Sequence, residues 1–215
     1  MAEARADTRP RDSYAESLAR LDLRRQDLAR RHRGGEDVFD EARGVVLESI
    51  SEDIFPAWYG TLWDFYGTTE TPGEGQIACG YFVSTVLRDA GFEVQRVRLA
   101  QQASENIIKS LVPAEDIRRY SREDVDVVLD GIESQGDGLY LVGLDYHVAF
   151  VLREGERLDM CHSSVLDPGA VVCEPARTAP AMVSGYHVTG RLLREPMLEA
   201  WLAGASIATV GTVTE

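Results

Sequence analysis

Cysteine is scarce in this chain. There are three, an odd number with no C-x-x-C pair, which offers no disulfide framework and fits a reducing compartment. Positive charge is also short. Twenty-two Lys and Arg stand against 36 Asp and Glu, a formal net charge of −14, which excludes the broad basic surface needed to hold nucleic acid or anionic lipid. No apolar run approaches membrane-spanning length, which argues against membrane insertion, and residues 1–10 are charged where a secretion signal would be apolar. The expectation is a protein that begins its life in the cytoplasm. Internal repeats and low-complexity tracts are absent. What is present is 215 residues of ordinary globular composition, enough for one domain with a real core and an appended element.

Apolar periodicity divides the chain into helices first and strands afterwards. Ser13 to about His32 carries Leu18, Leu21, Leu28 and Ala29 on one side of a charged helix that ends at Gly34-Gly35. We assign residues 1–35 to an N-terminal helical extension and 36–215 to the main domain. The basic cluster from Arg24 to Arg33 is interleaved with Asp22, Asp27 and Glu36 and reads as a solvated face. A second helix is expected from Glu36 to Ile54, closed by Pro56, followed by an aromatic stretch from Trp58 to Tyr66. Phe92 to Leu99 reads as a short strand, Ser104 to Leu111 as a helix capped by Ser104, and Ala114 to Ser134 as a mostly helical connector. Strands are expected at 138–144, 147–152, 157–162, 170–173 and 185–192, then a helix over Glu195 to Leu202 and a last strand over Ala205 to Val213. The pattern is that of an α+β domain, N-terminal helices packed on an antiparallel sheet of about five to six strands.

One stretch has chemistry at its head. In Gln76 to Gly91, the residues Phe82, Val83, Val86, Leu87 and Ala90 form one apolar helical face, and Gly91 supplies the left-handed stop. Cys79 then falls in the first turn, where free N–H groups and the helix dipole favour a thiolate. The preceding loop, Gly67 to Gly75, is polar and rich in turn residues, so a cleft can open there.

A base for that thiol comes from a hairpin. Strands 147–152 and 157–162 flank Arg153-Glu154-Gly155-Glu156, and a turn centred between Glu154 and Gly155 sets His147 directly opposite His162 on one face. A register slip of one residue would break the pairing. Thiol, base and a third group to orient the base are the set a cysteine nucleophile needs.

The order of these residues resembles the NlpC/p-sixty superfamily of papain-like cysteine peptidases. Tyr66-Gly67 precedes Ala78-Cys79-Gly80-Tyr81-Phe82, strand 138–144 leads to His147-Val148-Ala149-Phe150, and Cys161-His162-Ser163-Ser164 closes the motif. The resemblance covers roughly residues 60 to 165. It implies a papain-like fold of NlpC type, Cys79 as nucleophile, His147 as general base and acid, and His162 as the residue orienting His147. It also implies an aromatic hydroxyl before the cysteine at the oxyanion, with Tyr66 nearest and Trp63 or Tyr59 as alternative alignments, and Trp63, Gly80 and Ser163 toward the substrate. Ala78 and Gly80 stand where the family shows Asp and Ser, which sets the cell-wall specificity apart from the rest of the pattern.

The function expected is thiol-dependent hydrolysis of an amide bond, by a cysteine peptidase or amidase without metal or organic cofactor. The expected partner is a peptide or peptidoglycan fragment, the latter reached by non-classical secretion. Two alternatives stand beside it: a non-catalytic peptide-binding module on the same fold, and an acyltransferase or transglutaminase-like enzyme using the same thiol. Zinc held by Cys161, His162, Cys173 and His187 has no usual ligand spacing to support it. His187 reads as structural or exposed, Cys161 and Cys173 as core, and Gln76 as a solvated loop residue that could reach an oxyanion.

Overall fold

The computed structural model describes residues 13–211. Helix α1 spans Tyr14–Arg33 and opens on a capping box, in which the Ser13 hydroxyl accepts from the Glu16 N–H and the Glu16 carboxylate accepts from the Ser13 N–H. Its apolar stripe, Leu21, Leu28 and Ala29, is buried in the same core as the main domain. The Tyr14 hydroxyl donates to Asp89 at 2.5 Å and accepts from the Trp58 indole at 3.1 Å. The N-terminal helix is therefore packed into the domain. Its arginines are met by carboxylates, Arg24 by Glu48 and Arg31 by Glu36 and Glu41, as the interleaved charges imply.

Helix α2, Phe39–Glu48, does not stop at Pro56 as the sequence suggests. It passes through a π-helical stretch, Ser49–Ile54, into α3, Phe55–Trp58. A proline lacks its own N–H and crowds the carbonyl four residues back, and the widened register, with Phe55 N–H on Ile50 C=O, carries the helix past it. Two short parallel strands follow, β1 at Leu62–Trp63 and β2 at Gln76–Ile77, and lead into α4, Cys79–Asp89. Gly91, at φ +88°, ends α4 as expected.

The expected strand over 92–99 is only β3, Glu93–Val94, because the chain turns into helix α5 at Arg96–Ala100. Helix α6 spans Ser104–Leu111, but Ala103 is its cap residue, and the Ser104 hydroxyl donates to Leu144 C=O instead. The connector 114–134 is not mostly helical. It contains strand β4, Ile117–Ser121, before α7, Val125–Glu133. Three of the five β4 residues are exposed and two are arginines, so this charged edge strand shows no clean alternation.

The remaining strands are β5 Gly138–Leu144, β6 Val148–Glu154, β7 Arg157–Ser163, β8 Val171–Pro175 and β9 Tyr186–Arg191. They form one antiparallel six-stranded sheet in the order β4-β9-β5-β6-β7-β8. Helix α8, Glu195–Ala203, follows. The expected last strand is the two-residue β10, Ser206–Ile207, parallel to β3, while Thr212 and Val213 lie outside the described residues.

Strand β5 is buried along its whole length because both faces of the sheet are covered. One face, with Leu139, Leu141, Phe150 and Cys161, packs on the α4 residues Phe82, Val83 and Val86 within the larger core. The other face, with Tyr140, Val142, Val151 and Met160, packs on α7 and on Ala176, Ala179 and Met182.

Candidate active site

Cys79 is the first residue of α4, and Phe82, one turn on, lies edge-to-face against Phe150 of β6 at 6.1 Å. That packing sets the helix head over the start of β6. The backbone N–H groups of Val148, Gly80 and Cys79 itself lie near the sulfur and favour its charged form, and the latter two have no intrahelical acceptor. Burial pushes the thiol up from its ordinary value, and these N–H groups oppose the rise. Gly80 is glycine for a steric reason, since a Cβ there would collide with the Ala100 carbonyl of α5. Where the resembled family shows Ser, this chain has α5 crossing too close to admit one.

The hairpin register differs from the expected one. Glu154 pairs with Arg157 and Phe150 with Cys161, so the turn is Gly155-Glu156, with Gly155 at φ +59° as the first turn residue. His147 and His162 are consequently diagonal neighbours instead of directly opposed. Because the shift is by two positions in the pairing, the side chains keep a common face and still meet: His147 Nε2 lies 2.7 Å from His162 Nδ1.

The next member has no signal in the local pattern. His162 Nε2 lies 3.0 Å from Glu174 Oε1 on β8. His162 pairs with Val172, so Glu174 stands two residues further along the same face. A second diagonal step thus continues the line His147–His162–Glu174 across three strands. Only the β7–β8 register could have revealed Glu174, and it is set across a long loop, residues 164–170, whose length gives no pairing.

This network assigns the protons. A carboxylate only accepts, so His162 carries its proton on Nε2, its Nδ1 accepts from His147 Nε2–H, and Nδ1 of neutral His147 is left as a proton acceptor. Burial lowers His147 to about 3, with His162 adding to the effect. Burial also lowers His162, against the pull of Glu174. Among the described residues, no hydrogen bond joins Cys79 to His147, and the resting pair is neutral thiol and neutral imidazole.

Cys79 and His147 line one cleft of about 730 Å³, walled by Trp63, Tyr66, Tyr81, Tyr146, Leu166 and Val183 among others. Of the residues assigned toward substrate, Trp63 and Gly80 border it and Ser163 does not. Ser163 is fully buried, and its hydroxyl donates to Ile77 C=O at 2.6 Å, clamping β7 to the strand before α4; Ser164 takes its place on the cleft wall. Tyr66 is on the rim and largely exposed, while Gln76 is an exposed residue of β2 outside the lining. Gln101, to which no sequence motif points, borders the cleft and donates to the Tyr81 hydroxyl at 3.4 Å.

Cys161 is buried in the core and Cys173 packs against it, as expected, but the expectation that they stay unpaired is overturned. They are directly opposed across β7 and β8 and form a disulfide. Paired sulfurs leave no thiolates for zinc at this position, and the cysteine count no longer argues for a reducing compartment. Cys79 is the free cysteine. His187 is buried, its Nε2 2.9 Å from Met182 C=O. Among the described residues no group of His, Cys, Asp and Glu could hold a metal ion, and no helix is long and apolar enough to cross a membrane.

No family model, no curated protein and no solved structure matches the chain.

Proposed function

We propose that this protein is a thiol-dependent hydrolase of amide bonds on a papain-like domain of NlpC type. The observation that carries this reading is the hydrogen-bonded line His147–His162–Glu174, whose outer imidazole shares a cleft with a cysteine at a helix head. In the reaction, Cys79 Sγ attacks the substrate carbonyl carbon while His147 Nδ1 takes the thiol proton. The carbonyl oxygen becomes an oxyanion, held by the first-turn N–H groups of Cys79 and Gly80; one good donor is worth about 3–4 kcal/mol. The C–N bond then breaks, and His147 returns the proton to the leaving amine. Water, deprotonated by His147, cleaves the thioester, releasing the acid and restoring the thiol. His162 and Glu174 hold His147 in the required tautomer throughout. Tyr66, on the cleft rim, is the aromatic hydroxyl that most closely precedes Cys79 in sequence.

The second reading is a peptide-binding module with an idle triad. It is favoured by burial, which holds thiol and imidazole neutral, and by the lack of a hydrogen bond between Cys79 and His147. A small activated ester separates the two, because it demands no particular substrate. Incubated with nitrophenyl acetate, a hydrolase gives an acetyl adduct on Cys79 by mass spectrometry and a burst of nitrophenol that His147→Ala slows about 100-fold or more. Acylation of Cys79 at the rate of an ordinary thiol, indifferent to His147, leaves the binding module.

A further inference from the structure

The walls of the cleft say what kind of acyl group it takes. Among the described residues, twelve large apolar side chains are exposed, and six of them, Phe65, Tyr66, Tyr146, Val165, Leu166 and Val183, border this one cleft. Tyr146 is 99% exposed and Val183 82%, on two segments of the rim joined through Asp145 and Ser184, where water gains nothing from them. Single exposed apolar residues are ordinary, but a cluster around the one cleft that holds Cys79 and His147 marks a surface covered during function.

Charge at the same place is of one sign. The charged lining residue is Asp145, in the turn between β5 and β6 next to His147. It is fixed by Ser184 Oγ–H at 2.9 Å and Gly185 N–H at 2.8 Å, and these bonds hold its carboxyl below the usual range. A substrate carboxylate entering here would meet a like charge and aromatic walls that cannot solvate it.

We propose that the cleft binds an uncharged, apolar acyl chain and that Asp145 rejects acyl groups bearing a carboxylate. The substrate class is then an amide of an apolar acid, distinct from the carboxylate-rich stem peptides of peptidoglycan. Cleavage of that amide rests on the hydrolase reading, whereas selection of the acyl chain at the binding step does not.

Binding is therefore measured on Cys79→Ala, which cannot turn over. The probes are aminocoumarin amides with N-butanoyl, N-hexanoyl, N-octanoyl and N-succinyl groups, titrated by fluorescence. Butanoyl and succinyl are matched in length and differ by the terminal carboxylate. Affinity is expected to rise roughly three- to fourfold per added methylene, and succinyl to bind at least tenfold more weakly than butanoyl. Adding Asp145→Asn is expected to shrink the succinyl penalty and leave the chain-length slope intact, with circular dichroism confirming the fold. A flat chain-length series, or succinyl binding as well as butanoyl, overturns the proposal. The chain-length slope without acetylation of Cys79 by nitrophenyl acetate leaves this inference standing and removes the hydrolase; acetylation without the slope does the reverse.

Discussion

Two histidines on one face of the same sheet, alike in burial, differ in what they are joined to. His162 and His187 are both fully buried. Strand pairing links them: Met160, two residues before His162, pairs with Val151, Val151 with Tyr140, and Tyr140 with Arg191, on the face that also carries Thr189 and His187. On the β6–β8 side, His162 has both ring nitrogens engaged, one by His147 at the cleft and one by Glu174. On the β9 side, His187 has one bond, to Met182 C=O, while its Nδ1 and the neighbouring Thr189 hydroxyl are buried without a partner. Burial and residue type are therefore the same at both places. Connection to the cleft is the difference.

The comparison is tested hardest at the cleft end. Cys79→Ser should lower acylation by nitrophenyl acetate about 1,000-fold or more with the fold intact, since a serine hydroxyl is far less acidic than a thiol. Retention of even a tenth of the rate would place the nucleophile elsewhere. Next in size is the far end of the line. Glu174→Gln keeps the shape but offers an NH₂ to His162 Nε2, which favours the His162 tautomer protonated on Nδ1 and so turns the His147 proton toward the thiol. A loss of about 10- to 100-fold in the acylation rate is expected, with thermal stability little changed. An unchanged rate would reduce Glu174 to a salt-bridge partner.

The parts legible in the sequence are those set by local pattern. Helix α4, its Gly91 stop, the central strands and the meeting of two histidines all follow from periodicity and a short turn. The hairpin register departs from the expected one by a shift that preserves faces, so His147 and His162 meet despite it; a one-residue slip would have parted them. Glu174 and the Cys161–Cys173 bond are out of reach because both depend on how β8 docks beside β7 after a long loop, and Ser163's inward turn because it depends on how β7 meets the distant strand β2. Strand β4 is hidden for another reason: an exposed, arginine-bearing edge has no apolar alternation to read.

A smaller effect separates the two ends by pH. His147 is held neutral, at about 3 against an ordinary 6.5. Between those values the unfolded chain takes up a proton that the folded chain refuses, so stability is full above about pH 6.5 and falls as pH drops below it. The slope is at most about 1.4 kcal/mol per pH unit for one such histidine. Urea midpoints between pH 6.5 and 5, above the range where carboxylates such as Glu105, held at about 2, lose their charge, should fall for the wild type and fall less for His147→Gln. Equal slopes would mean that His147 is open to protonation in the folded protein, and the neutral resting pair would have to be abandoned.

The smallest expected effect lies at the quiet end of the sheet. His187→Leu removes the donor to Met182 C=O, a loss of about 0.5–1.5 kcal/mol for one neutral hydrogen bond. It also removes a buried Nδ1 that has no partner, whose desolvation costs a similar or larger amount. The two oppose each other, and leucine adds apolar contact with Met182 and Leu144 in the smaller core. Stability should therefore change by less than about 1 kcal/mol, and acylation of Cys79 should stay within twofold, where His162→Leu abolishes it. A His187→Leu variant that folds yet no longer acylates would show that the β9 side feeds the cleft through Leu144, its strand partner, and that connection extends further than hydrogen bonds trace it.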